Sequence, residues 1–555
     1  MISRLTRNFR YSPIQFQRPV DTSDLLIIGA GPAGLSAAIR AKQLNKDLRV
    51  VVVEKAAEVG LHTLSGAVIE PRALDELLPN WRESAPIYTK AKEDYMLFLT
   101  ENNSYALPTP PDMHNEGNYI VSLSQVVKWL GEEAEKLGVE IYSGISAASL
   151  YIKDSKVLGV ATSPVGLDKD FKETSNYDPG MLLLAPVTFL AEGCHGSLTK
   201  QLINQYNLRT NEKQTYGIGL KEVWEIPAEN HQNGLIVHSV GWPLDPMTYG
   251  GSFMYHFTDK DNRPLVSIGY VLGLDYWNCN TKPYFEFQRY KTHPSIKQFL
   301  KGGKCISYGA RAINEGGWQS LPKLTVPGAA LIGCSAGFLN LPKIKGTHLA
   351  MKSGMLAAES AVKQIKTNNI PALETESEIK AAFPVLDLLD YEQTVKYDSW
   401  VGKELYGVRN SRPGFHFGLY AGLIYNGLDL FLLRGKSPWT FSHGKPDHLR
   451  LKLAKDCPEI DYPKPDGIFS FPLLENLAKS GTNHNHSQPS HLRLKSGSDV
   501  QLGINKVKYG GPEANFCPAG VYEYLELEKP QTLKDGTVTK YKFQINSQNC
   551  VHCKT

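Results

Sequence analysis

The N-terminal part of the chain alternates between short apolar runs and a helical pattern. Residues 24–28 and 49–53 are almost uninterrupted apolar runs, typical of strands buried on both faces of a sheet. A helical stretch over residues 35–44 connects them. This strand–helix–strand order predicts a βαβ unit at the start of a parallel sheet.

Further along the chain, the buried-strand pattern returns twice and a different pattern separates the two copies. Residues 187–191 and 329–332 are apolar runs that each lead into a glycine turn, and residues 349–363 are predicted to be a helix rich in Ala and Met. Four intervening segments alternate like antiparallel strands: 216–226, 234–240, 251–257 and 265–272. The predicted fold is α/β, or α+β overall, with an antiparallel sheet interrupting a Rossmann-like domain.

One long segment, residues 417–433, is apolar apart from two strongly polar side chains, Asn426 and Asp429. Cationic side chains flank it: Arg409, Arg412 and His416 before it, Arg434 and Lys436 after it. No run reaches the roughly 18 apolar residues that a spanning helix needs. An apolar body with cationic ends favours a helix lying in a membrane interface, and a buried core helix is the alternative.

Composition and charge narrow the class of protein. The chain has 555 residues, 42% hydrophobic and 21% charged, which indicates about three globular domains. A net charge of +4, without basic runs interleaved with aromatics, gives no support for nucleic-acid binding. The eight cysteines are mostly scattered, so a reducing compartment is expected. Residues 1–20 contain four arginines and no acid, a mitochondrial presequence pattern whose alternative is a plain basic arm.

The turn after the first strand carries a dinucleotide fingerprint. Gly29, Gly31 and Gly34 have the G-x-G-x-x-G spacing between strand and helix, where they allow a tight turn, approach of a pyrophosphate and helix packing. Glu54 ends the second strand and is placed to accept ribose hydroxyls, which disfavours a 2′-phosphate and leaves FAD or NAD. Later turns at 192–196 and 333–337 favour FAD, although Cys334 stands where many flavoproteins have Asp.

Two further segments suggest where a flavin and its substrate bind. Gly346 and Thr347 open the helix over residues 349–363, whose N-terminus would stabilise negative charge on a reduced flavin. The glycine pair Gly250 and Gly251 would allow close approach of a flat ring, or else form a simple β-turn.

The C-terminus has the spacing of an iron–sulfur site. Cys550 and Cys553 form a C-x-x-C pair, and Cys517 precedes a proline as in ferredoxins. These residues predict a 4Fe-4S site whose fourth cysteine ligand is not present in this sequence. Zinc binding, thiol redox chemistry or stray surface cysteines are alternatives. The tract containing His484 and His486 is interpreted as a surface loop rather than a metal site.

Taken in order, the motifs resemble one family, the electron-transfer flavoprotein:ubiquinone oxidoreductases of the mitochondrial inner membrane. The matching segments are 29–34, 53–55, 62–67, 117–121, 191–196, 215–219, 249–253, 342–348, 517–523 and 548–553. The resemblance implies this division of the chain: a presequence at 1–20, an FAD-binding domain at 21–225 and 320–410, a ubiquinone-binding domain at 226–319 with a membrane loop at 106–121, a membrane-interface helix at 411–435, and a ferredoxin-like 4Fe-4S domain at 436–555.

The resemblance also implies the site residues and the partners. FAD would be held by Gly29, Gly31, Ala33, Gly34, Glu54, Lys55, Ser65, Gly66, Glu192, Gly193, Gly333, Gly346 and Thr347. Gly250 and Gly251 would contact ubiquinone, and Cys517, Cys550 and Cys553 would hold the cluster. Electrons would pass from reduced electron-transfer flavoprotein to ubiquinone at the matrix face of the inner membrane, in contact with lipid and with no catalytic side chain. The alternatives are a flavin-only reductase or hydroxylase and a structural subunit of a respiratory assembly.

Overall fold

The computed structural model describes residues 18–555 apart from residues 65, 210–211, 366–369, 372, 374, 380–382, 496 and 535. The presequence expected at 1–20 lies outside the described residues except for its last three positions, and Ser65 lies outside them as well.

A six-stranded sheet forms the nucleotide-binding module, and its central strands are fully buried apolar runs. The strand order is Thr325–Val326, Ala329–Leu331, Thr188–Leu190, Leu25–Ile28, Val50–Glu54 and Glu140–Ser143. All neighbours are parallel except the first two strands. The helices of this module are Pro32–Leu44, Leu123–Lys136 and Thr347–Gln364. The Rossmann-like domain predicted from the sequence is therefore confirmed.

Smaller sheets complete this half of the molecule. One has four strands, Val20–Thr22, Leu182–Leu184, Lys156–Thr162 and Ala147–Lys153, and another has three, Ala67–Ile69, Tyr119–Val121 and Thr89–Lys90. A hairpin joins Val165–Leu167 to Glu173–Asp178. Short helices cover Arg72–Leu77, Ser197–Gln205 and Leu389–Gln393.

A seven-stranded sheet forms the second module. Its order is Lys304–Asn314, Tyr216–Glu225, Pro264–Gly273, Gly250–Thr258, Leu235–Gly241, Glu93–Leu99 and Ser104–Leu107. The four strands predicted between residues 216 and 272 are all present. The sheet differs from the expected 226–319 division in two ways: it starts at Tyr216, and it includes two strands from residues 93–107. Those two join it because Glu93–Leu99 pairs in parallel with Leu235–Gly241.

The helices Pro283–Thr292 and Pro294–Leu300 belong to this second module, which also contains a buried ion pair. Lys291 donates from Nζ to both carboxylate oxygens of Glu222 at 2.8 Å, and neither side chain is exposed. Asn476, from the C-terminal module, donates to the same carboxylate at 2.7 Å. Such a network fixes the C-terminal module against the sheet, because a buried carboxylate needs all of its partners.

The apolar segment near residue 420 is helical from Leu419 onward, because the helix Leu419–Gly427 continues directly into a π-helix, Leu428–Leu433. Two separate short helices, Trp400–Gly407 and Ser411–Gly414, precede it. The single helix expected at 411–435 is therefore wrong in detail: Gly418 has φ +89°, a left-handed conformation that ends one helical turn before the next begins. Among the described residues, no helix combines the length and apolarity needed to cross a membrane.

The C-terminal module has little regular structure. Besides short 3-10 turns, its elements are the helix Leu473–Ala478, a π-helix Gln501–Lys506 that continues into Val507–Tyr509, the helix Pro512–Phe516, and one hairpin, Tyr522–Thr532 with Val538–Ile545. Phe469 and Phe471 extend from it into the core of the seven-stranded sheet. The module is thus held by packing against its neighbour as well as by its own contacts.

Candidate functional site

The first glycine turn is shaped for a dinucleotide. Gly29 has φ +111°, and a Cβ there would lie 2.5 Å from the carbonyl oxygen of Ala191. A Cβ on Gly34 would lie 2.0 Å from the carbonyl oxygen of Gly29, so only glycine lets the helix approach the strand. A Cβ on Gly31, by contrast, would meet nothing within 4 Å. The turn therefore leaves open space at the N-terminus of helix Pro32–Leu44, where a pyrophosphate would bind.

Glu54 is held in place at the end of its strand. Its Oε2 accepts a hydrogen bond from Ala30 N at 3.0 Å, and Oε1 accepts one from Ala56 N at 2.8 Å. Each carboxylate oxygen has a second lone pair, so the side chain can still accept ribose hydroxyls. Ala33 is a packing residue: its β-carbon lies 2.7 Å from where a Cβ on Gly333 would be.

The second glycine turn has one open position and one occupied side chain. A Cβ on Gly193, which has φ +74°, would meet nothing within 4 Å. The Glu192 carboxylate accepts hydrogen bonds from Leu198 N at 3.2 Å and Thr199 N at 2.7 Å, at the start of helix Ser197–Gln205. Glu192 therefore caps that helix, and any contact with a cofactor would come from its backbone.

Four cationic side chains lie around this second turn. Of these, only Lys55 is among the FAD-binding residues expected from the sequence. Burial lowers the pKa of Lys55, Arg209, Arg311 and Lys554, the last to about 8. In the part of the chain that the structure describes, none of the four has a carboxylate oxygen within 4 Å. Lys55 is exposed and the other three are partly exposed, and cations without a carboxylate partner attract an anion. A dianionic pyrophosphate would supply that charge, so the residues present fit FAD.

The helix predicted to face the flavin begins where expected. Gly346 precedes helix Thr347–Gln364, whose first residue, Thr347, is partly exposed. A Cβ on Gly346 would lie 2.7 Å from Leu339 Cδ1. Gly333 has φ +59° and donates from its N–H to Ser353 Oγ at 2.8 Å, which fixes the neighbouring turn to this helix. Contact of Gly346, Thr347 and Gly333 with a flavin stays a prediction.

Gly66 connects the nucleotide module to the seven-stranded sheet. It has φ +74°, and its carbonyl oxygen accepts a hydrogen bond from Lys221 Nζ. A Cβ on Gly66 would lie 2.3 Å from Ser267 Oγ, which explains the glycine. Burial lowers the pKa of Lys221 to about 7. Lys221 lies beside the predicted flavin contacts, but nothing in the local sequence indicated it.

The three predicted cluster cysteines lie in one region of the C-terminal module. Each sulfur accepts a hydrogen bond: Cys517 from Val521 N at 3.4 Å, Cys550 from His552 N at 3.4 Å, and Cys553 from Thr555 Oγ1 at 3.3 Å. Burial raises the pKa of Cys517 to about 11, and the sulfurs of Cys550 and Cys553 add to this rise. Three thiols in mutual electrostatic contact, with donors aimed at sulfur, fit a metal cluster that would take up their negative charge.

Gly250 and Gly251 begin an internal strand of the seven-stranded sheet. A Cβ on Gly250 would lie 2.5 Å from Val271 O, and one on Gly251 would lie 2.7 Å from Ser239 O. Packing against neighbouring strands accounts for both glycines without a ligand. Their contact with a quinone therefore stays a prediction.

Arg311 joins the flavin side to the cysteine side. It lies on strand Lys304–Asn314, donates from Nη1 to His552 O at 3.0 Å, and donates from Nη2 to His62 O. The rings of His62 and His552 have centroids 5.4 Å apart. His552 lies between Cys550 and Cys553, and His62 lies in the segment that contains Gly66. The two predicted cofactor sites are thus neighbours in the fold.

An exposed apolar surface, which we call the apolar ridge, lies on the short helices near residue 420. Its members are Phe417, Tyr420, Ile424, Leu428, Phe431 and Leu432, all exposed. Asn426 fixes the helix beneath it by donating to Ser411 O at 3.1 Å. The ring of Phe98, from the seven-stranded sheet, lies 6.2 Å from that of Tyr420. A contiguous apolar surface of this kind marks a protein or membrane contact.

The glycine turns, the cations around the second turn and the clustered cysteines together indicate a flavin-dependent and iron–sulfur-dependent class of oxidoreductase. Comparison with known proteins agrees with this class. Residues 24–69 match the family model "FAD binding domain", residues 216–313 match "ETF-QO, ubiquinone-binding", and residues 467–555 match "Electron transfer flavoprotein-ubiquinone oxidoreductase, 4Fe-4S".

Curated relatives cover almost the whole chain. The mitochondrial electron transfer flavoprotein-ubiquinone oxidoreductases of Mus musculus and Homo sapiens are each 52% identical over 557 residues, which is 98% of this chain and 87% of theirs. The Dictyostelium discoideum protein of the same name is 50% identical over 560 residues, which is 98% of this chain and 90% of its own. The chain belongs to the electron transfer flavoprotein-ubiquinone oxidoreductase family. The FAD and 4Fe-4S domains are confirmed, and a flavin-only enzyme would leave residues 467–555 without a role.

Proposed function

We propose that this chain carries electrons from reduced electron-transfer flavoprotein, through a 4Fe-4S cluster and FAD, to ubiquinone. The observation that carries this proposal is the position of Arg311, on a strand of the seven-stranded sheet. Its side chain binds the predicted cluster segment at His552 and the predicted flavin segment at His62. When bound, the two groups supply reversible electron transfer, in single steps at the cluster and in one or two at the flavin. The protein's own task is to hold, orient and insulate them.

For the flavin, we assign the holding task to the two glycine turns and the four cations around the second of them. Gly29, Gly31 and Gly34 give the pyrophosphate access to a helix N-terminus, and Glu54 accepts the ribose hydroxyls. The N-terminus of helix Thr347–Gln364 favours negative charge on the reduced ring, because its first N–H groups have no partner within the helix.

For the cluster, Cys517, Cys550 and Cys553 are the proposed ligands. Hydrogen bonds to their sulfurs spread the negative charge of thiolate ligands and so make the reduced state more accessible. Arg311 holds His552, and with it the Cys550–Cys553 segment, next to the flavin side.

For ubiquinone, the proposed site is the start of strand Gly250–Thr258, at Gly250 and Gly251, reached from a membrane in contact with the apolar ridge. The expected loop at 106–121 is a strand end, a short 3-10 helix at Pro111–Met113 and the strand Tyr119–Val121. Only its start, at strand Ser104–Leu107, lies in the seven-stranded sheet from which Phe98 contacts the ridge. Arg434 and Lys436, at the end of the ridge, are exposed and would attract anionic headgroups.

We further propose the matrix face of the mitochondrial inner membrane as the location. The relatives are named as mitochondrial proteins, and the acid-free, arginine-rich start of the sequence is consistent with import. We propose the module order flavin, quinone and cluster, with the quinone module starting at Tyr216 and including residues 93–107.

The test uses the full chain loaded with FAD and iron–sulfur cluster, reduced anaerobically by reduced electron-transfer flavoprotein and given a short-chain ubiquinone. We expect ubiquinol to form only when the loaded chain, reduced electron-transfer flavoprotein and the ubiquinone are all present. We also expect low-temperature EPR to detect a reduced cluster during turnover. Reduction of the bound flavin without quinol formation, or failure of reduced electron-transfer flavoprotein to reduce the protein at all, would refute the proposal.

A further inference from the structure

A buried network of charged side chains lies beside Tyr249, the residue just before the proposed quinone glycines. Arg412 donates from Nε to Glu315 Oε2 at 2.9 Å and from Nη2 to Asp275 Oδ1 at 2.6 Å. Its guanidinium carbon lies 4.0 Å from the centre of the Tyr249 ring. Two carboxylates therefore share one cation immediately next to the proposed quinone site.

The two carboxylates differ in their tendency to hold a proton. Burial raises the pKa of Glu315 to about 7, although Arg412 opposes the rise. Burial also disfavours the charged form of Asp275, but Arg412, Arg450 and His416 outweigh it and the pKa of Asp275 is lowered. Asp275 thus balances the charge of Arg412, while Glu315 can bind and release a proton near neutral pH.

The geometry around Glu315 also favours a proton-carrying role. Its side chain has no exposed surface, and its Oε1 has no hydrogen-bond partner among the described residues. That oxygen lies 2.1 Å from where a Cβ on Gly217 would be, so the glycine makes room for it. A buried carboxyl oxygen without a donor is more stable when the group is protonated.

The network reaches the protein surface on the Asp275 side. Asp275 Oδ2 lies 3.8 Å from His416 Nε2 and 3.7 Å from Arg450 Nε. His416 and Arg450 are partly exposed, unlike Glu315 and Arg412. Asp447, held by Thr215 Oγ1 at 2.6 Å, completes the carboxylates that act on Glu315. The charged and titratable groups of the network are therefore Arg412, Asp275, Tyr249, Asp447, His416, His443 and Arg450.

We propose that Glu315 supplies the protons for quinone reduction at Tyr249 and the strand residues Gly250 and Gly251, and that it recovers protons from solvent on the partly exposed His416 side of the network. This inference rests on the proposed function. Reduction of one quinone takes two electrons, which arrive through the bound cofactors, and two protons. For each proton, the O–H bond of the Glu315 carboxyl breaks and an O–H bond forms on a quinone oxygen. The carboxylate then takes a new proton from the solvent side before the second transfer.

The test compares Glu315→Gln with a matched control, Glu286→Gln. Glu286 is also buried and its pKa is also raised by burial, but it pairs with Arg289 outside this network. We measure quinol formation on either side of pH 7 and, separately, reduction of the bound flavin by reduced electron-transfer flavoprotein. We expect wild-type quinol formation to fall as pH rises through about 7, since the protonated carboxyl is then lost. Glu315→Gln should be slower by about 10-fold or more, with that pH dependence removed and with normal flavin reduction.

Two results would overturn the inference. One is a Glu315→Gln protein whose quinol formation keeps the wild-type rate and pH profile. The other is infrared difference spectra across pH 7 in which Glu315→Gln retains every protonated-carboxyl band of the wild type, a readout that needs no turnover. Asp275→Asn is the second variant if Glu315→Gln does not fold, and it should slow quinol formation in the same way. A wild-type protein that reduces its flavin but forms no quinol would refute the proposed function itself, and the inference with it.

Discussion

Replacing Ile424 and Leu432 of the apolar ridge by glutamate should release the protein from lipid vesicles. The two side chains are 76% and 74% exposed, more than any other members of the ridge. Full burial of such a side chain stabilises by about 1.5–3 kcal/mol, so three quarters of that surface gives about 1–2 kcal/mol for each residue. Their loss removes about 2–4 kcal/mol of binding free energy, which corresponds to an affinity about 30-fold to several hundred-fold weaker. Burial of the new carboxylates near anionic headgroups would weaken binding further.

The assay is flotation with vesicles that contain anionic lipid, using the full loaded chain. Val538→Glu is the matched control, because Val538 is 66% exposed but lies on the C-terminal hairpin. We expect the control to float like the wild type and the double variant to stay with the soluble fraction, with its flavin absorbance unchanged. Equal flotation of the double variant and the wild type would refute the ridge as the lipid contact. Loss of flotation in Val538→Glu as well would show that the effect is general and not specific to the ridge.

Three other predictions follow from single contacts. Gly29→Ala should abolish retention of FAD in a protein that still folds, because the new Cβ would lie 2.5 Å from Ala191 O. The flavin-to-protein absorbance ratio after gel filtration measures FAD retention, and a normal ratio would contradict the prediction. Lys291→Ala should lower the free energy of unfolding by about 3–5 kcal/mol in urea titrations, because it leaves the buried Glu222 carboxylate without a cationic partner; a change below 1 kcal/mol would contradict it. Cys553→Ser should lower bound iron and the EPR signal of the cluster while FAD content stays normal, and unchanged iron would remove Cys553 from the ligand set.

The parts of the fold predicted from sequence are those in which neighbouring residues carry the signal. The run at Val50–Glu54 is buried almost throughout, so its pattern shows a central strand directly. The parallel pairing of Glu93–Leu99 with Leu235–Gly241 joins segments about 140 residues apart, and neither segment encodes its partner. That is why a boundary drawn at 226 from sequence differs from the sheet in the structure, which starts at Tyr216 and includes strands from residues 93–107.

In the candidate flavin site, too, features set by neighbouring residues can be predicted from the sequence, and contacts between distant segments cannot. The glycine turns were found because spacing along the chain reflects the shape of the turn. The cations Arg209, Arg311 and Lys554 come from three separate segments, and only folding brings them together. Hydropathy predicts one apolar helix at 417–433, and the structure has a continuous helical stretch from Leu419 to Leu433; hydropathy carries no information on the left-handed residue Gly418, which separates this stretch from Ser411–Gly414.

Arg311 shows why the three modules depend on one another. Its guanidinium presents donors in a fixed planar fork, so one side chain can bind two carbonyl oxygens that face it from different segments. One carbonyl belongs to His62, in the segment that contains Gly66, and the other belongs to His552, between two proposed cluster ligands. Arg311 itself lies in the seven-stranded sheet. A lysine has a single nitrogen on a flexible stem and could not hold both segments at a fixed separation. Because electron transfer depends on the distance between centres, the spacing set by this arginine is a property of the assembled chain and of no single module.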